Sequence, residues 1–342
     1  MNAFWDEWLR QKGVARDGEG KLPTAQHLQQ VQALKNGSAL APLDNYAVIR
    51  VEGDDAETFL QGQLSSDIRD VKDGRAQYST YSTAKGRMLA SFLIWQQQNA
   101  YYLMVSIDVA QAIAKRLAMF VLRSKVKVSL VEDCSLLGLS GPRVEQILQR
   151  YFPDVESWLE LQQQASGDAS LVKLRQGVYL LAGAGALPKD IAAADEWQAV
   201  APEVWALHDI EAGVAWVTLA TQEQFVPQMA NMELIGAVNF KKGCYPGQEI
   251  VARSQYLGKM KRRMFKVQFA QPLLAGCKLY SPQLPAQSVG MLAAVCQVDE
   301  ERYLGLAVVQ SQTWSDGVFA DEGHTIALQA LELPYPLESV TE

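Results

Sequence analysis

Nine consecutive residues, Lys241-Lys242-Gly243-Cys244-Tyr245-Pro246-Gly247-Gln248-Glu249, set one thiol between a lysine pair and a Pro-Gly turn. Glycines on either side of the sulfur permit backbone conformations closed to other residues, so a ligand can approach the peptide closely. Residues 249–253 read as the first turn of a helix. A thiol just ahead of a helix start and close to lysines is favoured as the thiolate, the form that acts as nucleophile or metal ligand. The same residues also suit a structural cysteine in a turn, and local chemistry alone leaves both readings open.

Regular elements must hold that motif in place. The β-branched run Tyr46-Ala47-Val48-Ile49-Arg50-Val51 reads as a strand, and Asp54 or Asp55 can cap a helix carrying residues 59–64. Two strand-like runs, 78–84 and 88–95, meet around Lys85-Gly86-Arg87, and 101–105 is a further strand. Asp108 starts an amphipathic helix with Val109, Ala112, Ile113, Leu117, Phe120 and Val121 on one side. Strands follow at 125–130, 136–139, 171–174 and 178–181, with a helix over 144–152. This mixture is α+β, closer to split βαβ units than to a doubly wound sheet. Beyond Gly258 short alternating strands predict a small β-barrel, with Phe265, Val267 and Phe269 on one face of the first. Residues 13–43 show little periodicity apart from a helix near 25–34. The organisation expected is an arm over 1–44, partly ordered, then a main α+β region over 45–258 in two subdomains, and a barrel over 259–342.

Composition narrows the chemistry. A length of 342 residues suits two or three compact units. Cys134, Cys244, Cys277 and Cys296 are widely scattered, and His27, His208 and His324 are the only histidines, none spaced as metal ligands. A zinc site or a cysteine-only cluster within one chain is therefore not expected. No apolar run is long enough to span a bilayer, and the acidic, aromatic start is unlike a secretion signal, so the expectation is a cytoplasmic protein. The net charge of −7 disfavours nucleic-acid binding by the molecule as a whole. Two basic runs remain. Residues 123–127 suit the solvated face of a strand, and Lys259-Met260-Lys261-Arg262-Arg263 could meet a polyanion.

The cysteine motif as a whole resembles the signature of the YgfZ-type folate-binding proteins, relatives of the T-protein (aminomethyltransferase) of the glycine cleavage system. Phe225-Val226-Pro227-Gln228 and Asn239-Phe240 are similar to that family's approach to the motif. Three further stretches add to the likeness: Phe59-Leu60-Gln61-Gly62-Gln63-Leu64-Ser65-Ser66-Asp67, Thr83-Ala84-Lys85-Gly86-Arg87 and Ile210-Glu211-Ala212-Gly213. The resemblance covers nearly everything from Asn45 onward. It implies a T-protein-like fold ending in a β-barrel, with tetrahydrofolate or a derivative as the bound cofactor.

On that resemblance Glu211 falls at the pterin-binding carboxylate and Trp205 at a tryptophan lining the folate site. Tyr46 stands where the family usually has another tryptophan. Lys241, Lys242 and Arg253 are candidates for the glutamate tail or for the thiolate. Cys244 is the candidate reactive group. The aminomethyltransferases carry an acidic pair beside the folate, and here Ala90 and Ser91 stand in its place. Neither can serve as a base near neutral pH. The resemblance therefore implies an accessory protein that supports iron–sulfur enzymes, including those that thiolate tRNA. The alternative is a folate-dependent one-carbon transferase acting on a small amine or thiol, with Glu211, Asp67 or Cys244 as base. A third reading has residues 259–263 contact tRNA directly, against the net charge.

Overall fold

The computed structural model describes residues 3–17, 22–72, 74–256, 260–285 and 287–337. It opens with helices α1 (Ala3–Gln11) and α2 (Thr24–Asn36) and the short strand β1 (Ala39–Pro42). The next elements are β2 (Tyr46–Glu52), α3 (Ala56–Gln61), β3 (Gln77–Ser82), β4 (Met88–Gln97), β5 (Ala100–Ser106), α4 (Ile107–Met119) and β6 (Lys127–Leu130). Their strands form an antiparallel sheet in the order β3-β4-β5-β2-β6.

A second sheet is built from β7 (Ser135–Ser140), α5 (Val144–Leu148), β8 (Gln163–Ser166), β9 (Ala169–Arg175), β10 (Val178–Gly183), α6 (Leu187–Ala192) and β11 (Gln198–Ala199). It takes in β1 and runs β11-β1-β7-β10-β9-β8, with the β1–β11 pair parallel. Helices α7 (Pro202–Ala212) and α8 (Gln248–Tyr256) then lead to β12 (Arg262–Phe269), β13 (Lys278–Leu279), β14 (Gly290–Asp299), β15 (Arg302–Gln310), β16 (Val318–Phe319) and β17 (Ala327–Leu331). These last strands order as β13-β14-β15-β12-β17-β16. Tyr280 and Phe319 exchange two backbone hydrogen bonds of 2.8 and 2.9 Å, which tie the two ends of the sheet and nearly close it into a barrel. The fold is α+β with a C-terminal barrel-like sheet.

The first residues are more than an arm. Trp5, Trp8 and Leu9 of α1 are buried, and all four residues of β1 are buried between β7 and β11. Ala39-Leu40-Ala41-Pro42 lacks the alternation that marks a half-exposed strand because both of its faces are covered. On α4 the buried face is Val109, Ala110, Ile113, Ala114 and Leu117, while Ala112 and Phe120 are exposed. The helix before residue 64 ends at Gln61, and Asp55 bonds the Lys125 N–H (2.7 Å) instead of capping it.

Strand β4 links the parts of the molecule, since its two faces serve two cores. Ala90, Phe92 and Ile94 pack into a core behind the first sheet with α4 residues Val109 and Ile113. Leu93 and Trp95, pointing the other way by strand period, join a core shared with β2, β10, α7 and the barrel residues Met264 and Leu306. The three parts of the fold meet at that second core.

Candidate functional site

Helix α7 runs across the junction. Pro202 at its start needs no intrahelical donor partner, and Gly213 ends it in the left-handed region (φ +64°). Trp205 is buried, with its indole flat against β7 at Gly138, where a Cβ would lie 2.6 Å from the ring. One turn on, the His208 ring packs edge-on to Trp205 with centroids 4.5 Å apart. Asp209 follows, and its Oδ2 accepts a 3.1 Å hydrogen bond from the Tyr46 hydroxyl. The Tyr46 ring packs at 4.8 Å against Trp216, which also sits 6.4 Å from Tyr78.

Of these side chains Tyr78, His208 and Asp209 border a cleft of about 390 Å³ between α7, β3, β9 and the chain after β17. Tyr78, His208 and Tyr335 give it aromatic walls, Leu161, Leu174, Val214 and Ile235 apolar ones, and Arg175, Asp209 and Glu160 its charge. Tyr335 is fastened there by its hydroxyl, which donates to the Gly213 carbonyl at 2.6 Å.

The electrostatics follow from burial. Withdrawal from water lifts the Asp209 carboxyl to about 6, opposed by bonding from Trp216 and Tyr46 and by the nearby Arg175 charge. The Trp216 indole N–H approaches that carboxyl without completing a bond of normal geometry. Burial, then the Arg175 charge, pushes His208 down to about 3, so the imidazole is neutral. Burial also raises the Tyr46 and Tyr78 phenols, with Asp209 adding to both.

Glu211 does not border this cleft. It lies on the same helix, half-buried, with Oε2 3.0 Å from Lys266 of β12. The residues that sequence reasoning missed are Arg175, His208, Asp209, Tyr78 and Trp216. None sits in a motif; the fold alone brings them together.

The cysteine motif forms a separate neighbourhood. Lys242 is buried, and its ammonium donates to the carbonyls of Gln61 (2.7 Å), Leu64 (2.6 Å) and Ser66 (2.9 Å). All three of its donors are used within the protein. This corrects its assignment to a ligand tail: Lys242 clamps the cysteine loop onto the 59–67 segment. Asn239 N–H adds a 2.9 Å bond to the Ser65 carbonyl, and the Ser65 hydroxyl donates to the Ala237 carbonyl at 2.7 Å.

Gly247 (φ +80°) completes the assembly. A Cβ there would lie 2.5 Å from the Thr83 carbonyl oxygen and 2.7 Å from the Gly86 Cα. Three motifs far apart in sequence thus pack together, and Cys244 stands exposed on top of them. Lys241 and Arg253 are exposed nearby in the chain.

Other assignments take concrete form. Ala90 is enclosed in the core behind the first sheet. Ser91 faces the junction, but its hydroxyl oxygen accepts the Val217 N–H at 2.9 Å. Asp67 is held down to about 2 by hydrogen bonds from Arg69. In the second basic run Lys259 lies outside the described residues, and Arg263 turns inward to Glu233 and to the Gln228 carbonyl. In the first, Lys125 and Lys127 are exposed and face Asp54 and Glu52. Among the described residues no helix is long and apolar enough to cross a membrane.

A family model described as the GCVT N-terminal domain matches residues 20–205, more than half of the chain. In structure the chain is similar to the glycine cleavage system aminomethyltransferase T from Bartonella henselae, with a TM-score of 0.78 at 18% identity over 96% of each chain. It also matches heterotetrameric sarcosine oxidase from Corynebacterium sp. U-96, with a TM-score of 0.33 at 10% identity, over 49% of this chain and 87% of that one. At such identity the first likeness establishes the fold.

Proposed function

The chain belongs to the family of the GCVT N-terminal domain, and on that premise we propose that it binds tetrahydrofolate, or a one-carbon derivative, at the junction cleft. In this reading it is a YgfZ-type accessory protein of the cytoplasm rather than an aminomethyltransferase. Its clients are iron–sulfur enzymes, including those that thiolate tRNA, and it meets tRNA only indirectly.

The observation that carries the choice is at β4. Where the aminomethyltransferases of the resembling family have an acidic pair, Ala90 is enclosed and Ser91 is committed to a backbone N–H. No group remains there to exchange a proton near neutral pH.

The cleft residues fit a reduced pterin. Tyr78 and Tyr335 offer faces for a flat ring, the Asp209 carboxyl offers acceptors for adjacent N–H groups, and Arg175 offers donors. Tyr46 orients Asp209 by its hydroxyl, Trp205 supports the helix beneath it, and Glu211, outside the cleft lining, acts on Arg175 through its charge. Arg253 and Lys241, exposed beside the cysteine loop, are the candidates for the glutamate tail or for the Cys244 thiolate. A bound reduced folate would supply the one-carbon unit; the protein binds and orients it.

Cys244 is the working group, an exposed thiol on a clamped loop that meets a one-carbon adduct, a partner thiol or an exposed cluster iron. Cells carrying only Cys244→Ala lose thiolated tRNA while the protein accumulates normally; wild-type levels of thiolated tRNA contradict the role. Steady turnover of methylenetetrahydrofolate by the purified protein alone would instead favour the transferase. Asp67 is a poor base for that reaction, because its pair with Arg69 keeps it ionised and weakly basic.

A further inference from the structure

Arg175 is a half-buried cation that borders the cleft, and among the described residues no carboxylate lies within ion-pair distance of it. What holds it is an imidazole. Its Nη2 lies 2.6 Å from His208 Nδ1. A guanidinium can only donate, so Nδ1 must be the accepting nitrogen and the ring hydrogen sits on Nε2. Nε2 in turn is enclosed without a partner, which leaves the ring no other strong bond to follow. The pair therefore fixes the direction of the guanidinium without a direct ion pair, and the carboxylates of Glu211, Asp209 and Glu160 act on it only from beyond contact distance.

Asp209, the next residue on α7, borders the same cleft and couples electrostatically to Arg175. Donors from Arg175 and acceptors from Asp209 are the complement of a cyclic amide edge, in which a carbonyl oxygen stands next to an N–H. We infer that Arg175 is the specificity-determining residue of the cleft, reading the ring carbonyl of a cyclic amide heterocycle, with His208 as its positioning residue. This rests on the folate reading above and deepens it. It assigns the 4-oxo group of the pterin to Arg175 and predicts discrimination against a 4-amino ring. Such a ring would turn N–H donors toward the guanidinium.

The test is calorimetric titration of the full-length protein with tetrahydrofolate and with its 4-amino analogue, likewise in the tetrahydro form. Arg175→Met is expected to reduce the preference for the 4-oxo ligand by about tenfold, mostly through weaker binding of that ligand. His208→Leu should reduce the same preference by a smaller factor. His208→Gln, which keeps an acceptor for the guanidinium, should restore it. Far-ultraviolet circular dichroism establishes that each variant is folded. If Arg175→Met weakens both ligands equally or neither, the residue does not read the carbonyl and the inference fails while the folate reading stands. Binding of neither ligand by folded wild type overturns both together.

Discussion

Asp209 makes the sharpest statement at the scale of single residues. Its carboxyl is lifted to about 6 in the folded protein, against about 3.9 in an unfolded chain. The native state holds that proton more tightly, so its contribution is complete below pH 4 and is lost as pH rises through about 6. Asp209→Asn keeps an oxygen for the Tyr46 hydroxyl and removes the charge. It should raise stability by about 1–2 kcal/mol at pH 7.5 and leave it nearly unchanged at pH 4. Urea unfolding at the two pH values measures this, and equal effects at both would mean that Asp209 is not held near neutrality.

Cys244 and Lys242 stand two residues apart with opposite expectations. Cys244 is exposed, so Cys244→Ala should change stability by less than about 0.5 kcal/mol, and its cost falls on function alone. Lys242→Met leaves three carbonyls without their donor and should destabilise by about 2–4 kcal/mol. Thermal denaturation of the two variants separates the roles; equal melting points would dissolve the distinction between clamp and working group.

Among the elements, the turns carry the arrangement. The loop at 243–247 sits against the turn after β3 so closely that only glycine serves at 247. Gly247→Ala requires a positive φ and displaces the Thr83 carbonyl, at about 2–3 kcal/mol. Hydrogen exchange should show faster opening of residues 83–87 and 242–250 together; opening of one segment alone would mean they are not docked as a unit.

Strands such as β2, β4 and β15 are legible in the sequence because alternation or β-branched content marks them. Strand β1 is not, for its four small or apolar residues pair with strands about a hundred residues or more along the chain. Helix α4 is legible in existence, but its buried stripe shifts to Ala110 and Ala114, whose small side chains let the helix approach β2 and β6.

For the whole molecule, one core binds the parts. It joins Ala41 of β1, Val48 of β2, Trp95 of β4, Leu180 of β10, Trp205 of α7 and Met264 of β12. Thermal unfolding should accordingly be a single cooperative transition by calorimetry, and two resolved transitions would show that the barrel folds independently.

The same architecture explains which parts of the site can be read in advance. Tyr46, Trp205 and Glu211 stand in recognisable stretches, and the structure sets the first two at one junction. Arg175, His208 and Asp209 come from β9 and α7, and their meaning depends on a packing that no local pattern encodes. Lys242 shows the converse, since a charge in a motif suggests a ligand and the fold spends all its donors on the backbone.

The cleft as a tetrahydrofolate site is the central claim, and calorimetry with tetrahydrofolate tests it most directly. Wild type should bind saturably at one site, and the double variant Asp209→Ala, Glu211→Ala should bind at least about tenfold more weakly while remaining folded. A folded wild type that gives no binding heat at any temperature tried, or a double variant that binds as tightly as wild type, would contradict it.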